Sequence, residues 1–182
     1  MKGIGLTIGI LTLLFFLPSC SFAPEQVPFD GKPAEFPDMR LVKTQYLLGV
    51  TGAQPITIQA EVIEVYEKAN LVYINEANFV QLNEDDEVLF SGSFGTAQVD
   101  TDTNIIKMDN GVTIQNHTDN FAIEADSLTW DHPNREAAGE DDIQVTITLK
   151  EHDILRGTGF RGDFKTATFE FSHIEEGQLH YE

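Results

Sequence analysis

The chain has 182 residues, with 30 acidic against 11 basic side chains and a formal net charge of −19 at pH 7. A surface of that sign repels nucleic acid and anionic membrane, which excludes both as direct partners. The single cysteine excludes a disulfide framework and a thiolate metal site.

Lys2 opens the chain and is followed by the apolar run GIGLTIGILTLLFFL, residues 3 to 17. Fifteen residues are too few to span a bilayer but suit the apolar stretch of a secretory signal. The only cysteine, Cys20, stands where the run ends, in Leu17-Pro18-Ser19-Cys20. That tetrapeptide resembles a bacterial lipobox, in which the cysteine is lipidated and becomes the first residue of the mature protein. We read residues 1–19 as a lipoprotein signal peptide and Cys20 as the lipid anchor; an ordinary signal peptide with an incidental cysteine is the alternative. Residues 20–38 follow as a linker, where Pro24, Pro28, Pro33 and Pro37 keep the chain extended and free of regular structure.

Residues 39–182 form the domain. Helical periodicity is nearly absent, and short alternating runs are broken by Thr51-Gly52, Asp109-Asn110-Gly111 and His132-Pro133-Asn134. An all-β domain is expected. The runs also repeat: Ile58-Gln59-Ala60, Phe90-Ser91-Gly92, Ile123-Glu124-Ala125 and Leu155-Arg156-Gly157 place a small residue at 60, 92, 125 and 157. Twenty residues further on come Val80-Gln81-Leu82, Val112-Thr113-Ile114, Val145-Thr146-Ile147 and Gly177-Gln178-Leu179. About four units of ~32 residues follow, each worth two strands that bury an apolar face only by stacking on neighbours. Ile58, Ala60, Val62, Phe90, Gly92, Phe94, Ile123, Ala125, Leu128, Trp130, Leu155 and Phe160 are the expected inward set.

Gly157-Thr158-Gly159-Phe160-Arg161-Gly162 matches the G-x-G-x-x-G spacing of a dinucleotide loop. Such a loop must open a helix whose amides face the phosphates. Here Ala167, Phe169 and Phe171 alternate with polar residues, a strand pattern, and Gly157 already holds the small-residue place of the fourth unit. The match implies no cofactor. Asp100-Thr101-Asp102-Thr103-Asn104 begins like a calcium loop, but Ile105 replaces the required glycine and Gly111 the bidentate glutamate. The five histidines show no metal-ligand spacing, and no nucleophile elbow is present. No catalytic or metal site is expected, and the protein reads as a non-enzyme. Runs such as Asn83-Glu84-Asp85-Asp86-Glu87 and Gly139-Glu140-Asp141-Asp142 read as solvated loops, and Arg156, Arg161 and Lys165 as a modest basic surface.

The pattern resembles the LptC-like periplasmic component of lipopolysaccharide export, within the LptA/LptC/OstA-like domain family. The resemblance covers about residues 36 to 172. It is carried by Phe36-Pro37-Asp38-Met39, Ile58-Gln59-Ala60 and Asn110-Gly111-Val112-Thr113-Ile114, and by Ile123-Glu124-Ala125-Asp126-Ser127-Leu128-Thr129-Trp130-Asp131. Val145-Thr146-Ile147 and Leu155-Arg156-Gly157-Thr158-Gly159-Phe160 complete it. It implies an open, V-shaped β-jellyroll that takes lipopolysaccharide from an inner-membrane ABC transporter and hands it to an LptA-like bridge protein by head-to-tail strand docking.

On that implication Ile114, Ile123, Ala125, Leu128, Trp130, Ile147 and Gly157 are the expected lipid-groove residues. The strand around Ala167, Phe169 and Phe171 is expected to meet the bridge protein, and that around Leu41 to Val50 the transporter. The expected location is the periplasmic side of the inner membrane. Because Ser21 follows the cysteine where enteric inner-membrane retention uses aspartate, the outer membrane stays open as the anchor's site. The alternative function is a lipid-anchored structural or display β-sandwich without lipid transfer.

Overall fold

A computed structural model describes residues 36–50, 53–150 and 153–178. The predicted signal peptide, Cys20 and all of the linker but its last three residues lie outside them. Strands dominate: β1 Met39–Val50, β2 Ala53–Tyr66, β3 Leu71–Leu82, β4 Val88–Asp100, β5 Ile105–Asn116 and β6 Phe121–Asp131. Shorter strands follow: β7 Glu136–Ala138, β8 Val145–Leu149, β9 Asp153–Thr158, β10 Arg161–Asp163, β11 Thr168–Glu170 and β12 His173–Gln178. Neighbours from β1 to β6 pair antiparallel in sequence order. The all-β expectation is met, and the sheet is open, because β1 pairs only β2 among the described residues.

Each of the first six strands serves two layers. In β2 the inward residues are Ile58 and Ala60, then Ile63; in β3 they are Val72 and Ile74, then Ala77. In β4 Phe94 gives way to Ala97, in β5 Met108 to Val112, and in β6 Ile123 and Ala125 to Leu128. The inward face slips at one line that crosses all of these strands. There the backbone leaves ordinary β geometry: Lys43, Glu76 and Asn110 have φ of 50°, 47° and 65°, and Gly111 has 84°. A β-strand that keeps strict alternation cannot change its buried face, so an irregular residue must be inserted to fold the sheet over. We call this line the corner.

The corner corrects two details of the sequence reading. Strict alternation puts Val62 inward after Ala60, but Ile63 is the fully buried residue and Val62 pairs with exposed Val42. Asp109-Asn110-Gly111, read as a turn between runs, lies inside β5 at the corner, where the register with β6 shifts between Asp109 and Val112. Asn110 braces it by donating from Nδ2 to Thr96 Oγ1 at 2.9 Å.

On one layer Ile58, Phe79, Gly92, Ile114, Ile123, Ile147 and Leu155 stand opposite one another in register, from β2 to β9. On the other, Val65, Val72, Val99, Ile106, Trp130, Ala137, Gly162 and Phe169 form the matching row from β2 to β11. These rows are the physical content of the ~32-residue repeat. Ala60, Ala125 and Gly157 all occupy the last inward place before the corner, while Gly92 sits one pair nearer the strand end. At Gly92 the space belongs to the Phe79 ring, which lies over the glycine, and a methyl group would also strike the Thr113 carbonyl.

Past β6 the strands no longer run through the corner. β6 pairs β8 on one layer and β7 on the other, and β8–β9–β12 and β7–β10–β11 extend the layers separately. The chain crosses between them in short irregular links, including Gly159 at φ 63° between β9 and β10. Gly157, Gly159 and Gly162 are therefore strand and crossing residues, with no helix after them among the described residues.

At the far ends of both layers sit five-residue turns of one design. Asp100, Asn116, Asp131 and Asp163 each accept turn amides through Oδ1, and the residue four places on (Asn104, Asn120, Arg135, Ala167) is left-handed. An aspartate or asparagine that accepts amides ahead of it closes such a turn without a glycine. The amides of Thr103, Asn134 and Lys165 hold the Asp100, Asp131 and Asp163 carboxyls below the usual aspartate range. A carboxyl lowered in the folded state contributes stability at pH above its unfolded value, near 3.9, and loses it as pH falls through the folded value.

Two outcomes are expected. Gly92→Val destabilises the domain by about 1–3 kcal/mol in urea unfolding, because the added carbons overlap Phe79 and the Thr113 carbonyl. The double variant Asp100→Asn, Asp163→Asn keeps an acceptor in each turn but removes its titration, so the fall in stability below about pH 4 becomes shallower than in the parent when unfolding is followed against pH.

Candidate functional site

The two layers enclose different interiors along their length. On the β7–β12 side the gap is filled. Phe121, from β6, meets Phe164 and Phe169 with ring centroids 5.7 and 4.9 Å away, and Phe160 meets Phe169 and Phe171 at 6.2 and 5.4 Å. Ile123, Val145, Ile147 and Phe160 are fully buried there. Burying each side chain of that size contributes about 1.5–3 kcal/mol.

On the β1–β6 side the layers stay apart and leave a cavity of about 500 Å³. Ile58, Phe79, Phe94 and Ile114 line it from one layer, and Ile74, Val99, Ile106, Met108 and Trp130 from the other. Its mouth lies between two rows of turns: Gln54, Gln81, Asn83 and Glu84 on one rim, His132, Pro133 and Arg135 on the other. The body is apolar and the rim polar, the usual arrangement of a ligand pocket of this size. Phe90 and Phe164, 6.2 Å apart between ring centroids, form the wall toward the filled side.

Trp130 is the link between cavity and rim. Its ring stands edge-on to Phe164 at 4.9 Å, and its Nε1–H donates to Nδ1 of buried His132 at 3.1 Å. His132 thus serves as a neutral acceptor. Burial holds its pKa below the usual histidine value; the Arg135 charge lowers it further, while Asp131 opposes the shift. A histidine with a lowered folded value contributes stability above its unfolded pKa near 6.5, which is lost as pH falls toward the folded value.

Of the residues expected in a lipid groove, Ile114 and Trp130 line the cavity. Ile123, Leu128 and Ile147 are buried beside it in the core, Ala125 packs against that core, and Gly157 is buried against the His173 carbonyl. Sequence reading did not select Phe94, Met108, Ile74 or Phe164 as lining. Ile74 and Met108 keep the alternation of their strands, whereas Phe164 follows a turn aspartate with no periodic signal. Arg156 of the basic group is engaged with Glu176 at 2.8 Å, while Arg161 and Lys165 are exposed.

The C-terminal side ends in two edges. β11 pairs only β10, and β12 pairs only β9, among the described residues. Ala167 is the left-handed turn residue before β11, and Phe171 lies in the link from β11 to β12. Phe169, in β11, turns its ring into the aromatic cluster. β12 is the longer edge, exposed throughout, with Ile174 55% accessible.

Among the described residues, an open, corner-folded β-jellyroll with an apolar cavity and unpaired edges at both ends is the class this geometry defines. Among solved structures it is similar to LptH from Pseudomonas aeruginosa, the LptA homologous periplasmic component of the conserved lipopolysaccharide transport device. The match has a TM-score of 0.53 and 13% identity, and covers 69% of this chain and 90% of that one. The two share a fold. No family model and no curated protein matches the chain.

One outcome concerns the rim. His132→Gln removes the buried imidazole, so stability changes less between about pH 7 and pH 5 than in the parent, measured by thermal unfolding at each pH.

Proposed function

We propose that this protein carries lipopolysaccharide across the periplasm. It receives the lipid from an inner-membrane ABC transporter and passes it to an LptA-like bridge protein, without catalysing a reaction. The observation that carries this reading is the apolar cavity of about 500 Å³, held open between layers that are tightly packed elsewhere. The likeness to the LptH fold supports it. An acyl chain moved from water into such a lining gains about 0.8 kcal/mol per methylene. That drive does not depend on attraction to phosphates, which a chain of net charge −19 does not offer.

In this reading the lipid meets Ile114 and Trp130, while Ile123, Ala125, Leu128, Ile147 and Gly157 support the groove from behind. Lipidated Cys20 tethers the domain through residues 20–38, on the periplasmic side of the inner membrane. β1 faces the transporter. The C-terminal edge made by Ala167, Phe169, Phe171 and β12 takes the bridge protein, because an unpaired strand is a template for strand addition.

The test is photocrosslinking in cells, with a photoreactive phenylalanine analogue at Ile114, Ile123 or Ile174. The expected result is a lipopolysaccharide adduct at Ile114 that requires ATP-driven export, little or none at Ile123, and a protein adduct of the bridge partner at Ile174. A folded, correctly localised protein that gives no lipid adduct at Ile114 would overturn the carrier reading.

A further inference from the structure

Resting on the reading of the cavity as an acyl groove, we infer that Phe164 ends the groove and fixes the length of the single acyl chain it accepts. Phe164 belongs to the turn between β10 and β11, on one rim, and reaches across the gap to the other layer. Its ring meets Phe90 at 6.2 Å and Phe121 at 5.7 Å on that layer, and Trp130 at 4.9 Å on its own side. The side chain is buried and lines the cavity, and the amide is fixed by a 2.9 Å bond to the Arg135 carbonyl. Beyond it Phe169 packs against both Phe164 and Phe121, and no described residue of β7 to β12 lines the cavity.

The volume sets the length. A methylene occupies about the volume of a water molecule, ~30 Å³, so the 500 Å³ cavity holds about sixteen such groups. That is about the volume of one acyl chain. A lipid with several chains seats one at a time, with the others and the head group outside the mouth. Glu84 and Arg135 at the rim balance in charge, so the head group contributes little to selection and chain length decides.

The full chain carrying Cys20→Ser, which has no acyl group of its own, is titrated with a saturated fatty-acid series that displaces a fluorescent fatty acid. Parent affinity is expected to rise about fourfold per added methylene and then stop rising near about sixteen carbons. In Phe164→Ala the rise continues, so a chain two methylenes past the parent limit binds about fifteenfold tighter than in the parent. Phe164→Trp, which adds volume to the same wall, moves the limit to shorter chains and tests the inference even if the alanine variant fails to fold. Binding in the parent with an unchanged limit in the folded variants overturns the role of Phe164 and leaves the groove standing. No binding of any chain length to the parent overturns both.

Discussion

The structure depends on the corner. A strand eleven or more residues long can lie in both layers of a jellyroll only if its buried face changes once along its length, and β1 to β6 are long enough for that crossing. In β1, β3 and β5 left-handed backbone at Lys43, Glu76 and Asn110 makes the change, in a region unfavourable for the lysine and the glutamate. The tension is compensated by the two apolar rows that the fold brings face to face. Because one backbone serves both layers, the layers cannot drift apart or slide independently there.

Where the strands are continuous, the interior holds a cavity; where they are interrupted, it is filled. β7 and β8, β9 and β10, and β11 and β12 divide each crossing into two pieces joined by short irregular links. Freed of a continuous backbone at the corner, those pieces pack against each other, and the rings of Phe121, Phe160, Phe164, Phe169 and Phe171 close the gap. The open and closed halves thus follow from strand continuity. Inward composition differs little between them, with isoleucine at 58 and 114 in the open half and at 123 and 147 in the closed one.

That is also why the sequence reveals the fold better than the site. Alternation and the 60, 92, 125, 157 series are local, so the all-β class and the hairpin repeat are legible from residues alone. The corner is not, since a single inserted residue leaves the composition of a run unchanged; Val62 and Ile63 look equally fit to be buried. Whether Ile114 lines a space and Ile123 a packed core depends on Phe90, Phe164 and Trp130, which come from three separated segments. The turn aspartates carry a better signal, a side-chain acceptor followed four places later by a left-handed residue, repeated at both rims.

Those rims are laced along their length. The carbonyls of Asn70, Asn104 and Arg135 accept the amides of Thr101, His132 and Phe164 on the next turn, at 2.9 to 3.3 Å, and on the opposite rim Leu89 and Asn120 accept from His117 and Lys150. Each lip is therefore a stitched hem that resists fraying strand by strand. Widening the mouth has to come from flexing about the corner, as a book opens at its spine, so the two covers move as boards and the compliance of the whole molecule is concentrated along one narrow line.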